Sequence, residues 1–223
     1  MGSATEAIHG FRARLVDSPA SLGGQARAAR WERFVSTFPD LGEMSVLDLG
    51  GRMETWRRAP LHPAHVHVVN FERADGPVPE WAEFDTGDAC DLPPAVRSRR
   101  YDLVFSNSVI EHVGGYAQRR RFAESVHTAA DRHWVQTPYR YFPVEPHFLF
   151  PGFQFLPLPA RASVIQRWPL LHTPTDDRAK ALRKALNVEL LGRTELQALF
   201  PESAIVAEKM MGLVKSLVAV KTA

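Results

Sequence analysis

Short apolar runs bounded by turn-forming residues alternate along this chain with longer stretches whose apolar positions recur every three or four residues. The runs predict strands and the stretches predict helices. Ser45-Val46-Leu47-Asp48-Leu49 reads as a short buried strand that stops at Gly50 and Gly51, and Val66 to Val69 as a second, closed by Asn70-Phe71-Glu72. A weaker third strand lies around Glu83 and Phe84 and ends in Thr86-Gly87-Asp88. Tyr101 to Ser106 forms a clear fourth, between the charged run Arg97 to Arg100 and Asn107. His133 to Gln136 forms a fifth, ending at Thr137-Pro138. Helical spacing marks Ile8, Phe11 and Leu15, then Ala29 and Phe34, with a break around Ser18 to Gly24, and it returns between Tyr116 and Asp131 through Phe122, Val126 and Ala130. Thr175 to Leu199 reads as helix in two pieces broken near Gly192, and the residues from Ala204 onward as an antiparallel hairpin about a Met211-Gly212 turn. Strands alternating with helices indicate a parallel sheet covered on both faces.

One stretch breaks the pattern. From Tyr139 to about Leu171 aromatics, prolines and aliphatics crowd together, and the prolines argue against a regular central strand or a long helix. A membrane-touching or partner-binding patch is one reading of it. A lid packed over a ligand is preferred, since long ordered insertions tend to be functional.

Composition narrows the classes. A chain of 223 residues with 45% apolar residues, 23% charged residues and a formal charge of +2 fits an ordinary globular protein of one domain, or two small ones. The single cysteine, Cys90, excludes an intramolecular disulfide and any multi-cysteine zinc site. The N-terminal residues lack an apolar signal core, and nowhere do about 18 apolar residues run together, so the expected location is cytoplasmic, without a membrane span. The 27 basic residues are dispersed among 25 acids rather than gathered in a stripe, and nucleic acid is not expected as a partner.

In an open α/β sheet ligands bind outside the carboxyl ends of the strands. The residues there are Asp48, Gly50, Gly51 and Arg52 after the first strand, Asn70 and Glu72 after the second, Gly87, Asp88 and Ala89 after the third, and Ser106, Asn107, Ser108, Glu111 and His112 after the fourth. Glycines let the backbone approach a ligand, carboxylates accept from ribose hydroxyls or an exocyclic amine, and a backbone amide donates to a ring nitrogen. Together these describe an adenosine site.

VLDLGG (Val46 to Gly51), GDACDLP (Gly87 to Pro93) and YDLVFSNSVIEHV (Tyr101 to Val113) resemble, in order and spacing, three signature segments of class I S-adenosylmethionine-dependent methyltransferases of the small-molecule type. TPYRYFPVEPHF (Thr137 to Phe148) resembles a segment that follows strand five in part of that family. The resemblance implies an α/β, Rossmann-like doubly wound fold with a mostly parallel seven-stranded sheet, an antiparallel C-terminal hairpin and helices on both faces. It implies one domain over residues 1–223, with a helical cap (1–43), a cofactor-binding core (44–138), an aromatic and proline-rich lid (139–172), and C-terminal helices and hairpin (173–223). It further implies S-adenosyl-L-methionine as cofactor. Asp48, Gly50, Gly51 and Arg52 would lie at its methionine half, Asn70 or Glu72 at the ribose, Asp88 and Ala89 at the adenine, and Ser106 and Asn107 beside the methionine moiety. The sequence departs from the family's Asp-x-Gly-x-Gly-x-Gly loop, because Arg52 and Glu54 stand where glycine is usual. Arg52 would narrow the approach to the cofactor carboxylate or pair with it.

Methyl transfer from a sulfonium is an in-line displacement, so the acceptor must be aligned, and a hydroxyl acceptor gains from a base. O-methylation is the favoured reaction, with N- or C-methylation as alternatives. His112 and His147 are the candidate bases, with Glu111 or Glu145 as orienting partners. Glu111 and His112, adjacent in sequence, would not face the same way on a helix. No spacing motif sets His112, Glu145 and His147 on one helix face, so no metal is expected. The expected partners are a small-molecule acceptor and, as an open alternative, a second copy of the chain in a homodimer. A nicotinamide dehydrogenase is disfavoured because Gly-x-Gly-x-x-Gly is absent. The non-enzyme alternative is a catalytically degenerate, methyltransferase-like cofactor-binding or scaffold protein.

Overall fold

The computed structural model describes residue 18 and residues 20–223 apart from 75, 172 and 173, so the helical spacing through Ile8, Phe11 and Leu15 lies outside the described residues. Five strands run parallel: β1 (Ser45–Leu49), β2 (His65–Asn70), β3 (Ala82–Thr86), β4 (Leu103–Asn107) and β5 (His133–Pro138). A two-stranded ribbon, β6 (Val144–Glu145) and β7 (Phe150–Pro151), follows, and the chain ends in the hairpin β8 (Ala204–Met210) and β9 (Leu213–Lys221). The order across the seven-stranded sheet is β3-β2-β1-β4-β5-β9-β8, with β9 antiparallel to β5 and β8. This is the expected doubly wound sheet. The weak third strand is real, and its mixed burial reflects its place at the sheet edge.

Alternation along the strands feeds two cores. Val46, Val66, Val68, Leu103, Phe105 and Trp134 pack with Phe34 of α1 (Leu22–Thr37) and with Met53 and Trp56 of α2 (Met53–Arg57). Leu47, Leu49, Val104 and Val135 point to the other face. There they meet Val96 of α3 (Pro94–Arg97) and Phe122, Ala123 and Val126 of α4 (Tyr116–Ala129). Ser21 starts α1 by accepting from the Gly24 amide at 3.0 Å, so the expected break ends there.

The proline-rich segment differs from expectation in holding a regular helix of 10 residues, α5 (Leu158–Arg167). Its prolines are tolerated because Pro157 is the N-cap and Pro159 lies in the first turn, where no intrahelical N–H is needed. Phe148, Phe153, Ala162 and Ile165 form a third small core with Ala181 and Ala185 of α6 (Arg178–Leu186). Gly192 then caps α7 (Arg193–Leu199), the second piece of the broken helix. Among the described residues no helix is long and apolar enough to cross a membrane.

Candidate functional site

The chain leaves β1 outward toward β2 and β3, then returns across it to β4, so the order reverses between β1 and β4. A crevice opens at the carboxyl ends of the strands at such a point. Here it is a cleft of about 710 Å³, within the usual range for small-molecule sites.

The turn after β1 is built from below. Gly50 has a φ of 78°, and a Cβ on it would lie 2.6 Å from the Val109 methyls. A Cβ on Gly51 would lie 1.7 Å from Asp48 Oδ2. Asp48 is fully buried and accepts a 2.7 Å hydrogen bond from Trp56 Nε1. Burial pushes its carboxyl up to about 7, against the opposing effect of the Trp56 hydrogen bond. Asn70 Nδ2 donates to the Gly50 and Gly51 carbonyls at 3.0 and 2.7 Å, while its Oδ1 accepts from the Glu72 amide at 3.0 Å. Asn70 therefore ties the ends of β1 and β2 together. Arg52 and Glu72, both exposed, pair with each other at 3.2 Å on the cleft wall. Glu54 bonds Arg57 and Arg58 instead and is no part of that wall, so only Arg52 occupies the space that a glycine would leave open.

On the far side, Asp88 Oδ1 accepts from the Cys90 amide at 2.8 Å, and Asp88 and Ala89 line the cleft. Cys90 Sγ donates to the Gln118 carbonyl, and burial pushes the thiol up to about 12, which keeps it unreactive. Ser106 is buried and bonds the Leu49 carbonyl at 2.9 Å, joining β4 to β1. Asn107 lines the cleft while its Oδ1 accepts from Arg30 Nη1 at 2.8 Å, and Arg30 is itself held by Glu208.

Of the residues singled out in the sequence for a cofactor, Gly50, Gly51, Arg52, Asn70, Glu72, Asp88, Ala89 and Asn107 share this one cleft, and Asp48 and Ser106 support it from beneath.

His112 closes one end of the cleft. It follows β4 in a turn rather than a helix, and this lets Glu111 and His112 converge although they are neighbours in sequence. Glu111 Oε1 lies 3.9 Å from His112 Nε2 and 3.9 Å from His147 Nε2, and the two imidazoles meet edge to face at 4.7 Å. Glu145 Oε1 lies 2.6 Å from His147 Nδ1, and its Oε2 accepts from the Phe148 amide at 2.8 Å. His112 Nδ1 lies 3.1 Å from the Asn187 carbonyl. Thr137 Oγ1 donates to Glu111 Oε2 at 3.0 Å, but the buried Glu111 Oε1 has no hydrogen-bond partner among the described residues.

The four groups titrate in opposed environments. Burial pushes the Glu111 carboxyl up to about 7, against the pull of the His147 charge. Burial also lowers His112, helped by the neighbouring His147. For His147 burial acts downward too, but the Glu145 hydrogen bond and the charges of Glu145 and Glu111 outweigh it and hold the imidazole above its ordinary range.

Sequence reasoning missed Asn187, which sits just after α6 and lines the cleft beside His112. Only tertiary contacts bring it there, so no local signal could have found it. Thr55, Phe71, Ser108, Val109 and Val113 also line the cleft. Ser108 was visible as a strand-end residue. It has a φ of 58° and bonds Gln136 Oε1 at 2.9 Å.

No protein-family model matches the chain, and no curated protein matches it in sequence. Solved structures match in shape. A crystal structure named as an S-adenosylmethionine dependent methyltransferase from Listeria monocytogenes superposes with a TM-score of 0.53 at 12% identity, covering 87% of this chain and 97% of that one. The N-terminal domain of EvdMO1, determined in the presence of SAH and D-fucose, gives 0.50 at 17% identity over 88% and 82% of the two chains. A structure named as a Zn-dependent alcohol dehydrogenase from Rhodobacter sphaeroides gives 0.54 at 9% identity over 86% and 87%. With its strand order, antiparallel hairpin and cleft at the β1/β4 reversal, the chain has the class I S-adenosylmethionine-dependent methyltransferase fold.

Proposed function

We propose that the protein transfers a methyl group from S-adenosylmethionine to a small-molecule acceptor, with a hydroxyl oxygen the favoured acceptor atom. The observation that carries this reading is the single cleft from the Gly50-Gly51 turn past Asp88 to His112, with the His147, Glu111 and Glu145 cluster at its end. The name of the Listeria structure, and that of the EvdMO1 domain determined in the presence of SAH, point the same way. The dehydrogenase name of the Rhodobacter neighbour is not matched by a Gly-x-Gly-x-x-Gly turn in this sequence.

The cleft fits such a cofactor. The Gly50-Gly51 turn leaves its backbone open to the amino-acid end, Glu72 presents a carboxylate at the end of β2 for ribose hydroxyls, and Asp88 with the Ala89 amide presents an acceptor and a donor to an adenine edge. Arg52 stands ready to exchange Glu72 for the cofactor carboxylate, a trade of one exposed ion pair for another. When bound, the cofactor supplies an electrophilic methyl group. The protein's task is then to hold the acceptor oxygen in line with it, and the His112 end of the cleft is where that oxygen would sit. A second cleft of about 390 Å³ sets Tyr141, Phe148 and Phe155 beside Arg140, Glu145 and Arg161, a mixed aromatic and charged lining suited to an acceptor ring that carries polar groups.

The test is a calorimetric titration with S-adenosylmethionine, followed by transfer of labelled methyl to a panel of hydroxylated acceptors. Asp88→Ala should weaken cofactor binding by about 10- to 100-fold, the worth of about 1.5–3 kcal/mol for a hydrogen bond to a charged group. Its circular dichroism should match the wild type. Absence of saturable binding by the wild-type chain would refute the proposal, and binding without transfer to any acceptor would favour the degenerate, non-catalytic reading.

A further inference from the structure

Glu111, His112 and His147 turn three ligand atoms toward one point, all within 4.8 Å of one another. At 3.9 Å, the separations between Glu111 Oε1 and the two Nε2 atoms are too long for hydrogen bonds. The tautomers follow from the partners. A carbonyl oxygen only accepts, so His112 donates through Nδ1 to Asn187, and His147 donates through Nδ1 to the Glu145 carboxylate. In its neutral form each ring is thereby left with a bare Nε2 lone pair facing Glu111. This is the arrangement in which metal-bound histidines are held, each oriented by an acceptor on its outer nitrogen. Glu111 supplies an independent sign. It is 1% exposed, and its Oε1, the atom facing both Nε2 lone pairs, has no hydrogen-bond partner among the described residues. A buried polar atom without a partner is costly, and a cation between the three groups would satisfy it.

We propose that Glu111, His112 and His147 bind one divalent first-row transition-metal ion, of which Zn²⁺ is the probe. Two imidazoles and a carboxylate suit that class better than Mg²⁺ or Ca²⁺, which take oxygen ligands. Bonds of about 2.1 Å at tetrahedral angles set donors about 3.4 Å apart, so each 3.9 Å pair must close by about half an ångström and the two histidine donors, within 4.8 Å of each other, by at most about 1.4 Å, which side-chain rotation supplies. His112 is partly exposed on the cleft, giving the ion a way in. Three protein ligands leave a position open. On the methyl-transfer reading that position receives the acceptor's hydroxyl oxygen, but the metal site itself does not depend on that reading.

The experiment uses the full, untagged chain. Zn²⁺ titrated into metal-stripped protein by calorimetry should bind at one site per chain, and Glu111→Gln or His147→Ala should weaken it at least tenfold. Glu145→Gln, which removes the charge orienting His147, should weaken it about 10- to 100-fold. Because a variant may fold poorly, a second measurement uses the wild type alone. Mn²⁺ should broaden the His112 and His147 ring signals in proton spectra at substoichiometric concentration, while those of His127 and His133, which meet at the start of β5, stay sharp. No saturable Zn²⁺ binding, unchanged affinity in Glu111→Gln, or broadening that spares His112 and His147 would overturn the site. S-adenosylmethionine affinity is read in a separate titration, so a protein that binds metal but no cofactor would sink only the functional reading.

Discussion

Gly51→Ala separates two opposed effects at the floor of the cleft. The backbone of Gly51 does not adopt a positive φ, so on chain entropy alone the added methyl should stabilise the protein by about 0.4–1 kcal/mol. The packing predicts the opposite. The new Cβ would fall 1.7 Å from Asp48 Oδ2 and 2.2 Å from its Cγ. The carboxyl group cannot swing away freely, because it is buried and accepts the Trp56 indole hydrogen bond at 2.7 Å. If the carboxyl moves, that bond breaks and leaves buried polar groups unpaired, at about 1–3 kcal/mol each. If the turn moves, overpacking costs about 1–3 kcal/mol. The cheaper of the two routes sets the cost, so net of entropy the loss should be about 1–2 kcal/mol, a sizeable share of the 5–15 kcal/mol typical of folded domains. With a urea slope of about 2–3 kcal/mol/M the denaturation midpoint should fall by about 0.5 M. In an Asp48→Ala background the methyl has room, so the same substitution should cost at least about 1 kcal/mol less. A midpoint within about 0.2 M of wild type, or an equal loss in both backgrounds, would refute the steric account.

Two further outcomes test other parts of the fold. His133, buried at the start of β5 against Ser203, His127 and Phe200, is pushed down to about 4 by burial, with His127 and Lys221 adding to the effect. Its folded value lies below the unfolded value of about 6.5, so the native state binds fewer protons, and stability is lost as pH falls from about 6.5 toward 4. The loss attributable to this group should reach about 2 kcal/mol by pH 5 in urea titrations, and His133→Gln should flatten that part of the profile; an unchanged profile in the variant would exclude His133 as its source. In the β8–β9 turn, Met211 has a φ of 50° and is 84% exposed, next to Gly212 at φ 80°. Met211→Asn puts a residue suited to positive φ there and should raise stability by about 0.5–1 kcal/mol, seen as a Tm higher by about 2 °C; a lower Tm would show that Met211 makes a contact the turn needs.

The architecture was legible where burial and chain direction agree. β1, β2, β4 and β5 are apolar runs because they lie inside the sheet with both faces covered, and each ends in a residue that breaks the run, such as Gly50, Asn70 or Asn107. β3 was faint because an edge strand needs fewer apolar residues. α5 was hidden because prolines mark both a broken helix and the start of an intact one, and only the position of Pro157 and Pro159 ahead of Ile165 tells the two apart. The Met211-Gly212 turn was readable because a two-residue loop between apolar strands admits few backbone conformations.

The site was legible in halves, and the reason lies in how far each contact reaches along the chain. Glu145 caps the Phe148 amide and holds His147 within a single turn, so Glu-x-His carries its own geometry and marks His147 from sequence alone. Glu111 and His112 are equally visible as a pair following β4, yet their convergence depends on a turn where helical reasoning expects divergence. What joins the halves is tertiary. Thr137 fixes Glu111 from β5, and the segment after α6 holds both the Glu111 carbonyl, through the Glu189 amide at 2.9 Å, and His112, through the Asn187 carbonyl. A reading built on helix spacing does not reach the proposed metal site, because its three candidate donors belong to two loops and are set by a third. The spacing rule describes sites made by one element, whereas this cluster joins the turn after β4 to the β6–β7 ribbon. Its donors can therefore be recognised as residue types in the sequence, but as one constellation only in the fold.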